Sequence, residues 1–247
     1  MKTRCCSITR LSVAVIVFLT LAMILSPTLA QAAEEVEYLF IPYLWTAGLD
    51  GDIGIGTTAV PVDLSFSDLA EFVDIGGAGV FEARADRWSY MVDAFFIRLA
   101  EIREKGTLTV DVEVETTILE VAVAYRYGEP GSLEVLGGAR YMDLSTDFDL
   151  TPGPDLDSKD DWVDPFLGGR IRIPLGVDWN LQLRGDIGGF GVGSDLTWNA
   201  LAALGWDVSN TVSLAAAYRV LDTDFDDDGF LYDIAMSGFG LGVVFRF

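Results

Sequence analysis

Histidine is absent from the 247 residues, and the only two cysteines, Cys5 and Cys6, stand side by side near the start. Without an imidazole there is no Ser–His or Cys–His nucleophile pair, no histidine general base and no ordinary zinc site. Lysine is nearly as scarce: of the 16 cationic residues only Lys2, Lys105 and Lys159 are lysine, and all face 38 aspartates and glutamates. A net charge of −22 excludes nucleic acid as a partner. The arginine bias favours a planar, weakly hydrated group suited to buried ion pairs. After the first thirty residues no apolar run reaches the length of a membrane-spanning helix.

What is present begins with an export signal. Lys2, Arg4 and Arg10 precede an apolar run from Leu11 to Leu25, then Pro27 and the small-residue site "AQA" at Ala30 to Ala32. This pattern reads as a secretory signal peptide over 1–32, with a mature chain from Ala33. Removing both cysteines with the leader leaves no thiol or disulfide, and removing three cations takes the charge from −22 to −25.

The mature sequence alternates. In "SGFGLGVVFRF" Phe239, Leu241, Val243, Phe245 and Phe247 share one face, while Gly238, Gly240, Gly242, Val244 and Arg246 share the other. Leu119, Val121, Val123 and Tyr125 stand opposite Glu120, Ala122, Ala124 and Arg126, and Trp179, Leu181, Leu183 and Ile187 opposite Asn180, Gln182, Arg184 and Asp186. Period two means strand. Strands are expected near 36–49, 76–86, 88–103, 107–128, 132–146, 162–175, 178–189, 195–207, 211–225 and 230–247, about ten, with eight or twelve also compatible. "ADR", "GEPGS", "GVD" and "VSN" are short turns at one end, whereas 50–75 and 147–161 read as long acidic loops at the other. Trp88, Tyr127, Trp179, Trp206 and Phe247 gather near the short turns as an interfacial girdle would. The expected fold is all-β: one transmembrane antiparallel up-and-down barrel over 33–247.

A final strand with apolar residues at every second position up to Phe247 resembles the C-terminal assembly signal of Gram-negative outer-membrane proteins. "PYLWTAGLDG", "GARYMDL", "DIGGFGVGSDLTWNALAALGW" and "AAAYRVL" are similar to a widespread, largely uncharacterised group of outer-membrane barrels, in the general style of OmpA, OmpX and OmpW. The resemblance implies integral residence in the outer membrane, contact with its lipid and lipopolysaccharide, and insertion by the barrel assembly machinery. It brings no catalytic residues.

With lipid outside, alternation assigns to the lumen Glu82, Arg84, Asp93, Glu120, Arg126, Arg140, Arg170, Arg172, Arg184, Asp186, Arg219 and Arg246. Eight arginines against four carboxylates would leave surplus positive charge. Two readings follow: an ion-paired plug, favoured by the narrow lumen of about ten strands, and a narrow passive channel for small solutes, anions among them. The stretch "SFSDLAEFVD" reads as a short helix capped by Ser67, placed either in the barrel mouth as a constriction or on the rim.

"DTDFDDDGF" puts Asp224, Asp226, Asp228 and Gly229 in the spacing that opens an EF-hand loop. Position twelve, however, is Ala235 where a bidentate glutamate is needed, and strands replace the flanking helices. What remains is an acidic extracellular loop, expected to hold Ca²⁺ or Mg²⁺ only weakly and diffusely, together with Asp147, Asp149, Asp155, Asp157, Asp160 and Asp161. No cofactor site is expected: "GDIGGFGVG" has neither the Lys-Ser/Thr nor the following helix of a phosphate loop. Omptin-like proteases and the lipid-modifying barrels resemble one another in relying on histidine, so an enzyme is not expected.

Overall fold

The computed structural model describes residues 36–247 apart from 56–57, 106–107, 129–132, 152–155 and 228; the leader over 1–32 lies outside the described residues. In chain order the elements are β1 (Glu37–Ile55), β2 (Thr58–Leu64), α1 (Phe66–Ala70), β3 (Val73–Ala85), β4 (Trp88–Lys105), β5 (Leu108–Arg126), β6 (Glu134–Thr151), β7 (Leu156–Pro174), β8 (Trp179–Gly189), β9 (Leu196–Asp207), β10 (Val212–Asp227) and β11 (Phe230–Arg246).

Each strand from β3 to β11 pairs antiparallel with its sequence neighbour, and β11 returns to pair with β1, closing a barrel of ten strands: β1 and β3–β11. β1 divides its other edge. Its first part, Glu37–Tyr43, pairs with β3, and its last part, Leu49–Ile55, pairs with β2, an additional ribbon outside the ten-strand count. The seam closes through reciprocal backbone bonds, Tyr38 N–H to Phe247 O at 2.9 Å and Phe247 N–H to Tyr38 O at 3.0 Å, with the two rings stacked 6.0 Å apart.

Strand alternation sorts the side chains as the sequence pattern requires. Leu44, Phe239 and Leu241 point outward and are about two-thirds exposed or more, whereas Met142, Leu221 and Ile234 point inward and are fully buried. At the short-turn end Trp88, Trp179, Trp206, Tyr127 and Phe247 are all exposed; Trp88 packs edge-on against Tyr125, and Trp179 stacks on Trp206. The β3–β4 turn needs a left-handed residue, and Asp86 supplies it with φ of 48°.

Three expectations change. The acidic stretches are strand rather than long loop: β1 runs on to Ile55, β2 occupies 58–64, β6 reaches Thr151 and β7 begins at Leu156. Asp222–Asp227 likewise belongs to β10 and pairs with Phe230–Ala235. Here Asp50 and Asp52 take the outer face while Leu49 and Ile53 turn inward onto the apolar core. Third, the helix starts two residues earlier. Ser65, not Ser67, is its N-cap, bonding reciprocally with Asp68, and Ser67 lies within the helix. The chain entering α1 crosses the outward side of β1 at Gly48, where an added Cβ would lie 2.7 Å from Leu64 O. The helix packs on β1 and β2 at the rim and is not a constriction.

Gly238 tests the seam. A Cβ there would collide with the backbone of Thr46 and Ala47 on β1, whereas nothing lies within 4 Å of a Cβ at Gly77. Gly238→Val is expected to abolish the compact form that migrates differently on an unboiled gel, and Gly77→Val to retain it. Equal heat-modifiability of the two variants would show that the β1–β11 seam is not as described.

Candidate functional site

The lumen is the region where chemistry concentrates, because inward alternation places charged side chains from eight strands within reach of one another. Glu120 on β5 is its centre and is 1 % exposed. It accepts from three guanidinium groups: Arg140 Nε at 2.9 Å, Arg184 Nη2 at 2.8 Å and Arg219 Nη2 at 2.7 Å. Arg140 on β6 also donates to Asp186 at 2.7 Å and to Thr197 at 3.2 Å. Arg219 on β10 donates to Asn199 at 3.0 Å and Asp93 at 3.1 Å, and Asp93 receives the Tyr43 hydroxyl at 2.8 Å. Bonds thus run from β1 and β4 through β5 and β6 to β8, β9 and β10, across the barrel rather than along its wall.

A second cluster sits nearer the short turns. Glu82 on β3 faces Arg170 at 2.7 Å, Arg172 at 3.0 Å and Arg84 at 3.0 Å, and Arg170 and Arg172 share Glu134 on β6 at 2.6 and 3.5 Å. Arg84 ends this cluster on Glu37 at 3.0 Å. On the opposite wall Arg246 meets Asp207 at 2.9 Å. Arg126 stands apart from both clusters and donates to Asp86 O at 2.6 Å.

Beyond Glu120 toward the long-strand end the lumen is apolar. Trp45, Phe95, Ile118, Met142, Trp162, Leu221, Phe225, Tyr232, Ile234 and Met236 form one buried core, with the Trp162 and Phe225 rings stacked at 4.1 Å. Such a stack excludes water by the packing that fills a protein interior. The β8–β9 turn leans over it: Asp164 accepts from Ser194 N–H at 2.7 Å and from Trp162 Nε1 at 3.2 Å, and all three residues are buried.

All twelve predicted lumen residues face inward, but the predicted surplus of positive charge is corrected. Alternation missed Glu134 and Asp164 in the interior and Glu37 and Asp207 at its short-turn end. These join Glu82, Asp93, Glu120 and Asp186, so that eight carboxylates stand against Arg84, Arg126, Arg140, Arg170, Arg172, Arg184, Arg219 and Arg246. Parity with Arg140 on β6 and with Arg170 on β7 was the available signal for Glu134 and Asp164. The apolar stack was also missed, since its residues share the parity of the charged ones.

At the far rim Asp224 and Asp226 stand on the outer face of β10, and Asp228 lies outside the described residues. Among the described residues no group of three or more acidic side chains converges to hold a metal ion. Asp224 is directly opposite Asp233 across the hairpin. Partial burial first, then the charges of Asp233, Asp195 and Asp226, push its carboxyl above the ordinary range.

Two outcomes follow. Glu120→Gln removes one charge from beneath three guanidiniums and is expected to cost about 3–5 kcal/mol in urea unfolding of the vesicle-inserted barrel. A cost below 1 kcal/mol would mean that the cations are not held as described. At the rim the sign is opposite to a salt-bridged acid. A raised folded-state affinity for the proton stabilises below the unfolded carboxyl range and is lost as pH rises through the folded value. Asp224→Asn is therefore expected to raise Tm at pH 7 and to lose that advantage by pH 3. A pH-independent difference in Tm would remove the repulsion between Asp224 and Asp233.

No family model matches the chain, and no curated protein matches it. Among solved structures it is similar to Ail, the attachment invasion locus protein of Yersinia pestis, in complex with the heparin analogue sucrose octasulfate (11% identity, TM-score 0.42, covering 87% of this chain and 99% of that one). It is similar also to Neisserial surface protein A (13%, TM-score 0.36, 87% and 100%) and to the outer membrane protease OmpT from Escherichia coli (10%, TM-score 0.49, 87% and 98%).

Proposed function

We propose that the chain is an integral outer-membrane β-barrel with a non-enzymatic structural or surface-interaction role, whose lumen does not conduct. The observation that carries the reading is the cross-section at Glu120. There Arg140, Arg184 and Arg219 converge from three strands on one buried carboxylate, beneath a continuous apolar stack. A passing ion would have to separate pairs whose members have no water to replace them. Seven of the eight lumen arginines, all but Arg126, are ion-paired to carboxylates among the described residues, which weakens the motive for an anion passage.

The outer face supports membrane residence: a closed ladder leaves no strand unpaired in lipid, and an exposed apolar surface ends in aromatic side chains at the short turns. In this reading the short turns face the periplasm and the acidic hairpins face outward. The hairpins meet lipopolysaccharide there through Ca²⁺ or Mg²⁺ held diffusely between like charges. Planar-bilayer recording of the refolded barrel tests the lumen. Silence is expected in the wild type, and neutralising Arg170 and Arg184 is not expected to create anion preference. Stable, open, porin-sized conductance would overturn the reading.

A further inference from the structure

The ladder that closes the barrel is interrupted between β1 and β3. The two strands pair from Glu37↔Arg84 to Tyr43↔Ala78 and then part, although both continue, β1 to Ile55 and β3 back to Val73. Each keeps its other neighbour through this stretch: Leu44–Gly48 stays on β11, and Ile75–Gly77 stays on β4. On the open side β1 regains a partner only at Leu49↔Leu64, and that partner is β2. The glycines record the divergence. A Cβ at Gly79 would touch Phe40, Ile41 and Pro42 on β1, whereas at Gly77, two residues along on the same outward face, it would meet nothing within 4 Å. Leu44 stands at the edge of the opening and is among the most exposed apolar side chains of the wall.

From inside, the opening is backed by Trp45 on β1 and Phe95 on β4, whose rings meet edge-on at 5.4 Å past the small residues Gly76 and Ala78 of β3. Toward the far rim it is spanned by β2 and α1. This strap is tied to β1 where Leu64–Phe66 crosses Gly48, and to β4 where Phe72 O accepts the Ala100 N–H at 2.8 Å. From 59 to 77 the only buried residue is Leu69. A segment with so few buried contacts opens at low cost.

We propose that the opening is a closable seam: the β2–α1 strap holds β1 and β3 apart, and when it lifts they zip together as Leu44↔Gly77, Trp45↔Gly76 and Thr46↔Ile75. Three arguments support closure. The new pairs continue the register of Tyr43↔Ala78, so no slip is required, and they end where β3 is irregular against β4, between Val73 and Ile75. Glycine opposite Leu44 and Trp45 leaves room for both large side chains. Lipid offers nothing to the N–H and C=O groups of an unpaired edge, so the bilayer favours the zipped state. This last argument rests on the membrane residence proposed above; the first two rest on the strands alone.

The test uses the full chain with Cys5→Ser and Cys6→Ser, refolded into lipid vesicles, and compares two cysteine pairs under mild oxidant. Phe40→Cys with Phe81→Cys marks a pair already in the ladder; Leu44→Cys with Gly77→Cys marks the first pair of the closed seam, four residues along and so of the same ladder type. Both are expected to lose their free thiols completely, the second roughly tenfold more slowly because it waits for the strap. Leu69→Ala, which removes the strap's buried side chain, is expected to abolish that delay and leave the first pair unchanged. Lasting free thiols in the second pair beside full closure of the first would mean a fixed opening, and equal rates would mean no opening; either overturns the proposal. Failure of both pairs would overturn the β1–β3 register and the seam with it. An unchanged delay in the Leu69 variant would overturn the role of the strap. Membrane residence is read separately, from the heat-modifiable mobility of the same samples, so that its failure is distinguished from failure of the seam.

Discussion

A charge inside a narrow barrel has no water to fall back on, and this one constraint organises the molecule. An isolated guanidinium or carboxylate would cost several kcal/mol at such a site, so each must arrive with its partners already placed. Glu120 meets three arginines, and each of those reaches a further carboxylate or amide. The partners lie up to 126 residues apart in sequence, as Arg219 and Asp93 do. Pairing them requires that every intervening strand keep its register. A slip by one residue would carry the arginines to the outer face and the leucines and phenylalanines into the lumen. Buried ion pairs add little net stability over an apolar filling of the same volume. What they exclude is every neighbouring register, and that uniqueness is their contribution here.

The strand pattern was legible because alternation survives almost any context. "EVAVAYR" and "NLQLRGD" name inside and outside without knowledge of their neighbours, and all twelve assigned lumen residues face inward. The acidic strand extensions were not legible. Asp50, Asp52, Asp222 and Asp224 read as loop by composition, yet they occupy outward positions beyond the apolar band, where alternation continues with aspartate in place of leucine. Glu134 and Asp164 could have been found by extending the parity of Arg140 and Arg170, but a turn and Pro165 lie close by and interrupt the pattern. The place of α1 depends on Gly48 meeting the backbone at Leu64, a tertiary contact that no local signal announces.

The apolar stack was hidden for a different reason. Trp45, Phe95, Trp162 and Phe225 share the inward parity of charged residues lower on the same or adjacent strands, so each inward face changes character along its length. A sequence pattern sorts residues between two faces of a sheet. It does not say at what height along the barrel axis they stand, because height depends on strand tilt and stagger, which belong to the closed barrel as a whole. Layering is thus a property of closure: ionic at Glu120, apolar above it and divided below.

That division below the ionic layer follows from side-chain length. A ten-stranded barrel is wide enough that small residues on one wall cannot touch the other, and arginine is the side chain here that crosses. Where Arg170, Arg172 and Arg184 rise from β7 and β8, the lumen is spanned and charge-neutral. Where β9, β10 and β11 offer alanine and glycine, nothing spans it, and Arg219, turned away onto Glu120 and Asp93, does not fill the gap. The unspanned space and the ion-paired layer are therefore one design seen from two sides. The same guanidinium that satisfies Glu120 withdraws from the space beneath it.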